Sequence, residues 1–239
     1  MFAPPSWITV SFTLLSLAVA IMGLLLYRRG VRRDGGKAHV GRAAAIIATW
    51  LTLHAMVATS GVLEIVSPIP AIVPYLALTI GAALFLAFGA VGKSMIALPL
   101  WVLVACQGFR VPVELILHAL YTAGQLPIQM TWEGRNIDVL SGFFGLTVLL
   151  VALARRRMAE PVPRRLLLLF NVVGFVLLLN VVHIALLSAP LPIRTYMNDP
   201  PVLLLFHVPY NWIVGVHVFS AMVYHLLFFR AYRASRVAA

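Results

Sequence analysis

Apolar residues in this chain run in long stretches, and the polar ones gather in short segments between them. An apolar run of about 18 residues or more is long enough to cross a hydrocarbon core of about 30 Å as a helix. The pattern predicts helices at 7–27, 44–65, 71–91, 95–123, 136–154, 166–187 and 209–230. The expected fold class is therefore all-α: a polytopic transmembrane helix bundle of seven spans, forming one domain over 1–239 with no separate soluble domain. The stretch Pro200-Pro201-Val202-Leu203-Leu204-Leu205-Phe206 is apolar but too short to span. Segment 200–207 is expected to lie at the interface or to re-enter, its backbone covered by protein.

Composition agrees with this reading. Hydrophobic residues make up 62% of the chain and charged residues 10%, where a soluble domain carries about 25% charged residues. The pI of 10.9 would point a soluble protein toward nucleic acid. Here the basic residues fall in alternate loops, and no nucleic-acid partner is expected. Arg28, Arg29, Arg32, Arg33, Lys37 and Arg42 occupy the first loop and Lys93 the third. Arg155, Arg156, Arg157, Arg164 and Arg165 occupy the fifth, and Arg230, Arg233 and Arg236 the C-terminus. Only Arg110, Arg135 and Arg194 lie elsewhere. Basic residues near helix ends stay on the cytoplasmic side, which predicts an N-out, C-in topology. The first apolar segment is followed by its basic residues rather than preceded by them, the pattern of a retained helix. The one cysteine, Cys106, excludes an intrachain disulfide and a cysteine-based zinc cluster.

Polarity inside the spans is the functional signal. In the fourth helix Gln107, Arg110, Glu114, His118 and Tyr121 fall within an arc of about 80° at about 100° per residue. A lone mid-span arginine costs about 2.5–3.5 kcal/mol on insertion scales, so Arg110 is expected to face the interior beside a partner, with Glu114, one turn outward, as the expected one. A pair fixing helix packing needs only those two; the stripe continuing to His118 and Tyr121 fits an outward-facing cavity. Asn180 and His183 in the sixth helix and Tyr210 and His217 in the seventh supply polar groups at similar depth, as does His54 in the second. His118, His183 and His217 lie roughly 7–11 Å below the outer boundary at ~1.5 Å per residue, a layer three helices could share. The loop residues Glu133, Arg135, Asn136 and Asp138 border the mouth, where Asn136 and Asp138 are also suited to capping the fifth helix. Of the acids, Glu64, Glu114, Glu133, Asp138 and Asp199 belong to the outer half, and only Asp34 and Glu160 to the inner.

The block Gln107-Gly108-Phe109-Arg110-Val111-Pro112-Val113-Glu114, continuing through His118 to Tyr121, is followed by Met130-Thr131-Trp132-Glu133-Gly134-Arg135-Asn136-Ile137-Asp138. Together with segment 206–230 it resembles a family of uncharacterised bacterial integral membrane proteins. The resemblance implies a multi-pass protein of the bacterial inner membrane and supplies no mechanism.

Four chemistries remain to be weighed. A retinal protein needs an intramembrane lysine, and Lys37 and Lys93 both fall in loops, which excludes it. A b-type haem needs facing histidines; His54, His118, His183, His217 and His225 are available, with no spacing that selects a pair. A membrane-embedded hydrolase would hold zinc or another transition metal on His118, His183 and His217, with Glu114 as general base. It lacks a His-Glu-x-x-His motif, and His217 and His225 are eight apart rather than in the His-x-x-x-His of ceramidase-type enzymes. The reading favoured is an outward-open pocket for a small polar or anionic ligand, used for transport or sensing, with Arg110 as its buried cation. Pro112 removes a backbone donor just beyond Arg110 and makes a helix break there reasonable. As a sensor the chain would need a protein partner to carry the output.

Overall fold

The computed structural model describes residues 2–67, 69–155, 157–158 and 161–237, the side chains of Arg236 and Val237 excepted. The expectations for Arg156, Glu160 and the Arg236 side chain lie outside the described residues. Among the described residues all regular structure is helical, with no strand: α1 Ser6–Arg33, α2 Val40–Thr59, α3 Ile72–Phe88, α4 Ala90–Met95, α5 Leu100–Ala105, α6 Arg110–Thr122, α7 Val139–Ala154, α8 Arg164–Ser188 and α9 Phe219–Val237. Five helical rods are long and apolar enough to cross a membrane: α1, α2, Leu100–Thr122, α8 and Ile213–Ser235. Ile72–Phe88 and Val139–Ala154 are apolar but shorter.

Local chemistry sets the ends. Beyond Arg33 the chain passes through Gly35 at φ 81°, a left-handed conformation that glycine adopts freely. Gly36 N–H then donates to Val31 O at 2.8 Å and Gly35 N–H to Arg32 O at 3.2 Å, so the last carbonyls of α1 are satisfied by a Schellman turn. The expected single span 95–123 begins only at Leu100. Gly89, with extended backbone, cuts α3 from the short α4, and Pro99 caps α5. A tight 3-10 turn, Cys106–Phe109, joins α5 to α6. Pro112 has no N–H to give the Gly108 carbonyl one turn back, so the tightening sits where the sequence weakens the α-ladder.

The Ile213–Ser235 rod is the hub of the bundle. Of its most apolar stretch 61% is buried, against 6% for α2 at the periphery. The first part of this rod, Ile213–Val218, is wound as a π-helix. In segment 200–207 the side chains of Val202, Leu204, Leu205 and Phe206 are buried.

The basic segments meet at one end. Arg33 Nε donates to Ala97 O and Ser94 to Asp34, while Arg230 NH1 donates to Ala87 O. Arg164 contacts Ser235. At the other end Ala3 N–H donates to Gln125 Oε1, and Phe2 stacks on His207.

Candidate functional site

Arg110 opens α6 and is 3% exposed. Its guanidinium faces Asp138, the residue just ahead of α7. Nε donates to Asp138 Oδ2 at 2.6 Å, and NH2 pairs with Oδ1. Both carboxylate oxygens thus face the Nε/NH2 edge of the guanidinium, one in a charge-assisted hydrogen bond with Nε and the other in ion-pair contact with NH2. NH1 donates to Gly174 O on α8 at 3.1 Å and lies 3.2 Å from His225 Nε2 on α9. A guanidinium only donates, so His225 Nε2 accepts and its Nδ1 carries the proton, donated to Asn171 Oδ1 at 2.9 Å. Ser141 Oγ donates to Asp138 Oδ1 at 3.0 Å. A β-carbon on Gly174 would stand 3.0 Å from His225 Cε1, so the missing side chain leaves room for the imidazole while the Arg110 guanidinium reaches the Gly174 carbonyl.

Glu114, one turn along α6, is bracketed differently. Asn136 Nδ2 donates to Glu114 Oε2 at 2.8 Å and to Met130 O at 3.0 Å, and Asn136 Oδ1 accepts from Asp138 N–H at 3.1 Å. Asn136 thereby fixes the loop that delivers Asp138. Among the described residues no cation lies within ion-pair distance of Glu114.

Arg110, Glu114, Asp138 and His217 border one cavity of about 70 Å³ in the half of the bundle away from the basic end. Its remaining walls are apolar, and Leu204 and Leu205 from segment 200–207 line it. His217 sits in the π-helical turn, of a kind frequent at functional sites. Its Nε2 lies 2.9 Å from Ser16 Oγ, while the buried Nδ1 has no hydrogen-bond partner among the described residues.

Several expectations are corrected. Arg110 pairs with Asp138 rather than Glu114, because Asp138 arrives from a separate element and can meet the Nε/NH2 edge with both oxygens. Arg110 is also not a free cation for an anionic ligand, since Asp138 balances its charge. Asp138 and Asn136 are buried members of the network rather than residues of an open mouth. His118 stands apart, stacked on Trp132 at 4.3 Å with Glu133 at 3.6 Å and Tyr121 alongside. His183 is exposed on α8, since the buried face of that helix runs through Asn171, Gly174, Leu178 and Val181. His118, His183 and His217 are therefore not gathered around one point. Among the described residues no three His, Cys, Asp or Glu side chains are grouped to hold a metal ion.

The other expected residues serve elsewhere. Gln107 Nε2 donates to Ala221 O, tying α9 to the 3-10 turn, and Asn180 donates to Arg135 O. Arg135 is exposed, its guanidinium over the Tyr196 ring. Tyr210 is buried, its hydroxyl 2.9 Å from Thr9 Oγ1.

Sequence reading considers His225 only for haem and for metal-motif spacing, and leaves out Asn171, Ser141 and Ser16. Asn171 carried a usable signal, as an amide inside an otherwise apolar span. Ser16 and Ser141 carried none, since serine is common in membrane helices.

No family model matches the chain, and neither a curated protein nor a solved structure matches it.

Proposed function

We propose that the chain is a seven-span protein of a bacterial cytoplasmic membrane, N-out and C-in, whose outer-half cavity binds a small ligand for transport or sensing. The gathering of Arg33, Lys93, Arg164 and Arg230 segments at one end supports the orientation, because basic ends stay inside. The shorter α3 and α7 complete the seven crossings, helped by bilayer thinning or by flanking residues that reach the interface.

One observation carries the ligand reading. The cavity is bordered by one guanidinium and two carboxyls, and Arg110 is already engaged by Asp138, Gly174 O and His225. Glu114 is the surplus acid. Intramembrane ionisable groups mark ligand, ion or proton paths, and a buried carboxyl without a cation is costly unless something answers it. The ligand that fits has a small apolar body against the Leu178 and Leu204 walls and a cationic or hydrogen-bond-donating group directed at Glu114. This replaces the anionic ligand expected from Arg110 alone.

The saturation of Arg110 also favours a second reading, in which the network only fixes helix packing. Thermal unfolding of detergent-purified protein against small alkylammonium ions, amino acids, Na+ and K+ separates the two. The ligand reading expects a cationic compound to raise Tm in the wild type but not in Glu114→Gln, whose amide keeps the Asn136 contact. No shift with any compound would favour packing, and shifts produced by anionic compounds alone would overturn the cationic ligand while keeping a binding site.

A further inference from the structure

The basic end of the bundle holds a second opening, unconnected to the ion-pair network. α2 is fastened to the protein only in its outer half. Trp50 Nε1 donates to Gly215 O at 2.7 Å, Trp212 Nε1 to Leu51 O at 3.1 Å, and Asn211 Nδ2 to His54 O at 2.5 Å; His54 Nδ1 lies 2.6 Å from the Tyr75 hydroxyl. These are all the hydrogen bonds tying α2 to other helices among the described residues, and the buried residues of α2 are His54 and Ala58. Between residues 40 and 49 no side chain of α2 is buried. A wedge of about 370 Å³ lies between α1, α2 and the Ile213–Ser235 rod.

The wedge has a directional chemistry. Its walls are apolar, with Val19, Ile47 and Phe219 among them and Trp50 well inside. Tyr27, His39 and Arg42 stand at its basic end, and none of the three makes a side-chain hydrogen bond or ion pair among the described residues. Arg28, Arg29, Arg32 and Arg33 line a further surface hollow close by at the end of α1. An apolar slot with an uncompensated arginine at its rim is complementary to an acyl chain joined to an anionic headgroup.

We infer that this wedge is a binding site for an anionic phospholipid of the basic-side leaflet, its acyl chain between α1 and α2 and its phosphate at Arg42 and His39. The site rests on the membrane-spanning reading but not on the ligand assigned to the outer cavity. Anionic lipids are drawn to basic segments of this kind at the cytoplasmic surface. A lipid tail also fills the gap that α2 leaves, recovering packing contacts that an empty wedge forfeits.

The test uses the full chain reconstituted in vesicles of mixed phosphatidylglycerol and phosphatidylcholine, with bromine on the acyl chains of one lipid at a time. Bromine quenches nearby tryptophan, and Trp50→Phe subtraction isolates the Trp50 signal. At equal mole fraction, brominated phosphatidylglycerol is expected to quench Trp50 with an apparent preference of about fivefold, the factor one basic residue contributes near an anionic surface. Arg42→Ala is expected to remove the preference while general quenching remains. Ala20→Phe, which narrows the slot, is expected to reduce quenching by both lipids. Equal quenching by the two lipids in the wild type, or an undiminished preference in Arg42→Ala, overturns the site while leaving the membrane reading intact. Absence of quenching by either lipid overturns the membrane reading with it.

Discussion

Asp138 and Arg110, 28 positions apart in the chain, form a buried, hydrogen-bonded ion pair where α6, α7, α8 and α9 meet. Neither group could be held at that depth alone. The Asp138 carboxylate answers the guanidinium, Ser141 and the Asn136 bracket hold the carboxylate, and His225 and Gly174 O take the remaining guanidinium directions.

Breaking that pair one-sidedly should be severe. Arg110→Met or Asp138→Leu leaves an unanswered buried charge, a loss of about 3–5 kcal/mol, whereas exchanging both for apolar residues is often close to neutral. Chemical unfolding in detergent is expected to show two strongly destabilised single variants and a double variant that recovers most of the loss. Additive losses in the double variant would show that the pair does not act as a unit.

The approach of α7 to the 3-10 turn depends on small residues. A β-carbon on Gly145 would stand 2.4 Å from Gly108 N, and one on Gly142 would stand 2.6 Å from Val111 N. Both obstacles are backbone, so α7 must move. Gly145→Ala is expected to cost about 1–3 kcal/mol, the usual range for overpacking, and to shift Asp138 relative to Arg110. Thermal unfolding checks the first effect. Gly81→Ala, at a position with open space, is the control and should leave Tm near the wild-type value.

The hydroxyl of Ser16 is the partner of His217 Nε2. Ser16→Ala leaves both ring nitrogens of a buried imidazole without partners. The expected cost is about 1 kcal/mol, typical of a lost internal hydrogen bond, seen as a lower denaturation midpoint. Ser16→Thr, which retains the hydroxyl, should lose less. An unchanged midpoint in Ser16→Ala would mean that the bond contributes nothing.

Topology is open to direct measurement. In a Cys106→Ser background, Glu133→Cys is expected to react with a membrane-impermeant maleimide on intact cells. Arg157→Cys is expected to react only after permeabilisation. The reverse pattern would invert the proposed orientation.

Asp138 shows where sequence reading stops. Helical phase placed Gln107, Arg110 and Glu114 on one face of the fourth span, and all three are buried. The partner of Arg110 was then sought on the same helix, where spacing alone gives proximity. Spacing says nothing about a loop aspartate brought in by the next helix. His183 is a related case: its place along α8 follows from the sequence, but the face it occupies follows from Asn171, Gly174 and Leu178 being turned inward.

The sequence alone determined the apolar rods and the segregation of basic residues into short segments between them. These depend on length, hydropathy and charge within short windows. Tertiary structure decided which acid answers Arg110, that Glu114 is left over at the cavity, that three histidines are not gathered at one point, and that a wedge opens between α1 and α2. Each of these depends on the rotation and tilt of one helix against another, which side-chain packing across the whole bundle sets and no local window contains.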